Sequence, residues 1–142
     1  MSSMASWSWL SSLWPQADVL LNATQAAHGV EHAGRDTQLA CVRQSLQQGR
    51  RISVAAVGGS ITAGSSFTAS TGSASHLYHQ KIMAALNSRH AVPGGHGFFN
   101  GGVPGTGPTY MEHCVQDHLP PDVDLVLLEY AVNIDHHPAA FE

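Results

Sequence analysis

The run Ile52-Ser53-Val54-Ala55-Ala56-Val57 is apolar, rich in β-branched residues, and stops abruptly at Gly58-Gly59-Ser60. Its apolar residues do not alternate with polar ones, so it reads as a strand covered on both faces that leaves its sheet at the glycines. A second segment of the same kind, Asp124-Leu125-Val126-Leu127-Leu128-Glu129-Tyr130, lies near the other end of the chain. Two such strands cannot face water. They demand helices on both sides of one sheet, which restricts the chain to an α/β architecture.

The stretches between them supply those helices. Leu39, Val42 and Leu46 recur at helical spacing after Asp36, and Gly49 closes that segment. Ser65–Ser75 is small and polar, a loop; after it Leu77/Tyr78, Ile82 and Ala85/Leu86 repeat at helical spacing until Pro93-Gly94-Gly95. Gly97-Phe98-Phe99-Asn100 is a short strand, followed by the Gly/Pro-rich loop Gly101–Pro108. Tyr110, Met111, Cys114, Val115 and His118 share one face of a short helix that Pro120-Pro121 stops. Strand, helix, strand, helix, strand predicts a parallel sheet with right-handed crossovers. The loops after its strands, Gly58–Gly64, Asn100–Pro108 and Val132–His137, then open on one edge, where open α/β sheets bind ligands.

Composition removes several function classes. Six Lys+Arg against ten Asp+Glu give a formal charge of −4, and no basic run exists to grip a phosphate backbone, so nucleic acid is not an expected partner. No apolar stretch approaches the roughly 20 residues that span a bilayer. Cys41 and Cys114 are too few for a disulfide framework or a CxxC metal knuckle, though a single bridge between them stays open. Residues 1–35 hold Trp7, Trp9 and Trp14 without period, and we read them as an N-terminal extension to a domain over 36–142. The N-terminus lacks the basic start of a secretory signal, and the sequon Asn22-Ala23-Thr24 is only permissive, so the sequence names no compartment.

The chemistry concentrates in the loops. As a phosphate loop, Gly59 and Gly64 have the right separation, but the Lys that must reach the terminal phosphates is absent. As a nucleophile turn, the paired glycines let the chain bend and leave the Ser60 hydroxyl at the strand end, with the next amide free to face an oxyanion. The bland reading makes Ser60 a helix N-cap. Gly105 offers an unobstructed backbone N–H, or is a turn glycine; Asn133 offers an amide donor just past the last strand, or is a turn former. Each follows a strand, in order, and together they favour an oxyanion-stabilised acyl-transfer site. His113 and His118 read as ordinary surface residues.

From about Ile52 to Asn133 the chain resembles the SGNH (GDSL-type) hydrolases: Gly58-Gly59-Ser60-Ile61-Thr62 is similar to their first block, Asn100 to Gly105 to the second, and Glu129-Tyr130-Ala131-Val132-Asn133 to the third. The resemblance implies a flavodoxin-like three-layer α/β/α fold with strands in the order 2-1-3, and hydrolysis of a small-molecule or carbohydrate ester without metal or cofactor. Ser60 is then the nucleophile, and its own amide, the Gly105 N–H and the Asn133 side chain form the oxyanion hole. The sequence departs from the family in two places. Ile134 stands where the family has Asp, with Asp135 one residue later, and no Asp-x-x-His pair follows the third strand; His136 and His137 lack that spacing. Adjacent histidines also diverge too far to share a metal. We therefore expect the chain to be the N-terminal portion of such a domain, with little or no turnover alone and prone to self-association through the open edge of its third strand. The alternative is a non-catalytic remnant or ligand-binding module of the same fold.

Overall fold

The computed structural model describes residues 23–28, 30, 36–65 and 76–133. Trp7, Trp9 and Trp14, residues 66–75 of the polar loop, and Ile134, Asp135, His136 and His137 lie outside the described residues. After a short helix α1 (Ala23–His28), a 3-10 turn at Asp36–Leu39 leads into helix α2 (Ala40–Gln47), so the periodic segment after Asp36 begins as a tighter coil than an α-helix. Val42 and Leu46, four residues apart, are its buried face.

Strand β1 (Ser53–Gly58) is followed by the one-turn helix α3 (Ser60–Ala63), helix α4 (Tyr78–Arg89), strand β2 (Gly97–Asn100), helix α5 (Pro108–Cys114) with a 3-10 extension at Val115–Asp117, and strand β3 (Leu125–Glu129). The three strands form a parallel sheet in the order β2-β1-β3, the order that the resemblance implies. Ala55 pairs with Phe99 on one side and Val126 on the other. Two bonds fix the entry to the sheet: the Asp124 N–H donates to the Ser53 carbonyl at 2.9 Å, and the Ser53 N–H donates to Asp124 Oδ2 at 2.7 Å.

Residues of opposite parity on β1 face opposite ways, and each face has its own apolar cluster. On one, Val54 packs with Ile52, Val42, Leu46, Met83 and Leu86, joined by Phe98, Leu125 and Leu127. On the other, Val57 meets Met111 and Tyr130, with Val103, Val115 and Leu119 around them. Helices α2 and α4 thus cover one face and α5 the other, giving three layers. Burying a side chain such as Ile52 contributes about 1.5–3 kcal/mol, and Val54, Ala55 and Ala56 are wholly sealed.

The cover is uneven. Leu125 and Leu127 face the first cluster, whereas Val126 and Leu128 are 44% and 68% exposed on the second face. Among the described residues β3 pairs on one side only, so its apolar writing is answered by helices on one face and by one neighbouring strand. Cys41 and Cys114 are free thiols, which closes the question of a bridge between them. Two histidines are core residues. His96 accepts the Ile52 N–H at Nδ1 (3.2 Å) and donates from Nε2 to the His90 carbonyl (2.7 Å), and His79 stacks on Phe98 with ring centroids 4.9 Å apart. Among the described residues no helix is long and apolar enough to cross a membrane.

Candidate active site

Beyond the last residue of β1 the chain turns at Gly59 and enters α3 at once. The Ala63 and Gly64 amides return 3.0 Å bonds to the Gly59 and Ser60 carbonyls. Gly59 occupies the cap position, and Ser60 is the first residue inside the helix. The capping reading of Ser60 is thereby overturned, and the residue, half-buried at the carboxyl edge of the central strand, keeps its hydroxyl for other work.

Asn133 reaches the same place from β3. The chain leaves Glu129 through a turn closed by the Asn133 N–H on the Tyr130 carbonyl (2.9 Å), and this swings the Asn133 side chain onto Gly59. A Cβ at position 59 would sit 2.5 Å from Asn133 Oδ1 and 3.3 Å from its Nδ2. Only glycine admits the amide there, which gives Gly59 a packing reason as well as a turning one. Asn133 Oδ1 is buried and accepts no hydrogen bond among the described residues.

The β2 loop is the third contributor. Its strand pairing continues past the sheet, with the Gly101 N–H on the Ala56 carbonyl (2.8 Å) and the Val103 N–H on the Gly58 carbonyl (2.9 Å). Asn100 Nδ2 donates to the Thr62 carbonyl (3.0 Å) while its Oδ1 accepts the Gly102 N–H (3.0 Å). Gly102 lies flat on α3, where a Cβ would come within 2.5 Å of the Ala63 nitrogen. Gly105 sits further out in the same loop with φ +75°, exposed, and a Cβ there would meet nothing within 4 Å. The loop therefore touches the Ser60 turn through Asn100, Gly102 and Val103, whereas Gly105 makes no contact that joins it to Ser60 or Asn133 among the described residues.

Beneath these loops lies a polar cluster that the sequence did not announce. Thr62 is fully buried. Its hydroxyl meets the Tyr78 hydroxyl at 3.1 Å and donates to Glu129 Oε2 at 3.3 Å, and its carbonyl accepts from Asn100 and from His79 Nε2 at 2.9 Å. Glu129 Oε1 accepts the Ala131 N–H at 3.0 Å. Burial pushes the Tyr78 phenol above its ordinary pKa, the Thr62 hydrogen bond pulls it back, and the Glu129 carboxylate pushes the same way as burial. Burial likewise raises Tyr130, whose buried hydroxyl lies beside Thr106 without reaching bonding geometry. The one available signal for this cluster was a single carboxylate, Glu129, closing an otherwise apolar strand.

A primary hydroxyl, the amides at the start of a helical turn and a carboxamide thus share one edge of the sheet, an arrangement suited to stabilising a developing oxyanion. Among the described residues no group of three His, Cys, Asp or Glu side chains could hold a metal ion. Comparison with protein-family models, with curated proteins and with solved structures finds no match to this chain.

Proposed function

We propose that the chain carries the nucleophile and oxyanion hole of an SGNH-type serine esterase, with Ser60 attacking the carbonyl carbon of a small-molecule or carbohydrate ester. The observation that carries this reading is the seating of the Asn133 carboxamide against Gly59, immediately before Ser60. In the proposed step Ser60 Oγ forms a bond to the acyl carbon and loses its proton to a base. The carbonyl π electrons move to oxygen, whose charge the Ser60 N–H, the Gly105 N–H and Asn133 Nδ2 stabilise; collapse expels the alcohol, which takes the proton back from the base, and water then cleaves the acyl-serine by the same route to release the acid. The sequence after β3 holds no Asp-x-x-His pair to act as that base, and without one a serine hydroxyl is a weak nucleophile at neutral pH.

The test is covalent labelling with an alkyl fluorophosphonate, read by peptide mass spectrometry. The proposal expects the adduct on Ser60, ahead of the other serines, and none in Ser60→Ala. Labelling spread over surface serines, indifferent to Ser60→Ala, contradicts it. Reversible ester binding without an adduct would instead support the ligand-binding reading of the same crevice. A second copy of the chain is the further partner we propose, pairing along the open side of β3, where Val126 and Leu128 are exposed and no Lys or Pro interrupts the strand.

A further inference from the structure

The Ser60 turn and the Asn133 turn belong to segments that are far apart in sequence, yet they must hold a fixed distance if they are to serve one oxyanion. Backbone pairing does not supply that. The ladder between β1 and β3 ends with Gly58 opposite Glu129, so both turns begin where the pairing ends. What continues past it is a chain of side-chain bonds. Thr62 has one hydroxyl proton, and it goes to Glu129 Oε2; the bond to Tyr78 must then be donated by the phenol. The resulting order is Tyr78 O–H to Thr62 Oγ1, Thr62 O–H to Glu129 Oε2, and Ala131 N–H to Glu129 Oε1. Thr62, in the middle of this chain, lies in the helix that begins at Ser60; one end, Tyr78, opens α4, and the other, Ala131, lies in the turn that ends at Asn133.

We infer that Glu129 is a positioning residue: its carboxylate braces the turn bearing Asn133 against the helix bearing Ser60, and so sets the width of the oxyanion site. This rests on the esterase reading above for its chemical meaning, but the brace itself is a claim about structure. The same helix is tied to the β2 loop through the Thr62 carbonyl, which lies at the end of a one-turn helix and has no acceptor role within it; His79 and Asn100 occupy it instead. Thr62 therefore joins all three site loops, and Glu129 is the link to the third. An ionised carboxylate suits the position because it accepts on both oxygens, whereas an amide can keep only one acceptor. Glutamine can keep both contacts only by donating from Nε2 to Thr62 Oγ1, which reverses that bond, turns the Thr62 hydroxyl toward Tyr78 and replaces a charge-assisted bond with a weaker one.

The experiment compares the full chain with its Glu129→Gln and Glu129→Ala variants by ¹H–¹⁵N NMR and by Ser60 labelling. We expect hydrogen exchange at the Ala131 amide to quicken at least about tenfold in Glu129→Ala. The Asn133 side-chain amide resonances should shift in both variants, with Glu129→Gln intermediate. Where wild type labels at Ser60, its labelling rate should fall in the same order. If Glu129→Ala does not fold, Glu129→Gln and Thr62→Val carry the test alone. Unmoved Asn133 resonances and unchanged Ala131 exchange in a folded variant overturn the brace whatever the labelling shows. Shifted resonances in a protein whose wild type never labels at Ser60 uphold the brace and remove the esterase reading.

Discussion

The two ends of β1 are held in different ways. Around its start, Ile52 and Val54 sit in an apolar cluster with Val42, Leu46, Met83 and Leu86, where contact is undirected and the hydrophobic effect fixes the helices on the sheet. Around its finish, Gly58, Gly59 and Thr62 are met by Glu129, Asn133, Asn100 and Tyr78, and the joints are hydrogen bonds and close approaches of backbone. Undirected packing tolerates small shifts and yields stability. Directed bonds tolerate little and yield position, which is what a site of converging donors needs.

That contrast can be broken first where the effect is largest. Ile52→Ala should lower unfolding free energy by about 2–5 kcal/mol, measured by urea denaturation, because a fully buried aliphatic group leaves a cavity. Ser60→Ala should change stability by no more than about 0.5 kcal/mol while abolishing adduct formation. Equal stability losses from the two would erase the distinction between the ends. Gly59→Ala lies between: its methyl collides with the Asn133 carboxamide, so we expect a loss of about 1–3 kcal/mol together with slower labelling.

The exposed face of β3 sharpens the comparison from the side. Leu128→Lys should leave the fold intact and raise the monomer fraction in size-exclusion chromatography, since it puts a charge on the open strand. Unchanged elution of a wild type that is already monomeric at micromolar concentration would remove the pairing proposal. The smallest effect is expected at high pH. The Tyr78 and Tyr130 phenols are held above their ordinary pKa, so the folded chain binds those protons more tightly than the unfolded one. Their contribution is fully present below pH about 10 and is lost as pH rises through the folded values. Tyr78→Phe should flatten that alkaline decline in a thermal-unfolding series.

The sheet was legible because its signals are local. The uninterrupted apolar runs, the glycines that end them and the helical spacing of Val42 with Leu46 each lie within a few residues, while the strand order came from the family resemblance. Ser60 and Asn133 were legible for the same reason, each standing just past a strand. The polar cluster was not. Thr62 lies 16 residues from Tyr78 and 67 from Glu129, and a buried threonine in a turn looks like any threonine until the fold brings its partners in. The depth of His79 and His96 was hidden likewise, since a hydrogen-bonded imidazole in a core leaves no pattern along the chain.

The central claim is that Ser60 and Asn133 serve one oxygen. It is tested most directly by a crystal structure of the fluorophosphonate-treated protein. The account predicts phosphorus bonded to Ser60 Oγ, with its non-bridging oxygen at hydrogen-bonding distance, about 2.7–3.1 Å, from both the Ser60 N–H and Asn133 Nδ2. An adduct whose oxygen turns to solvent, with the Asn133 carboxamide bonded elsewhere, would contradict it.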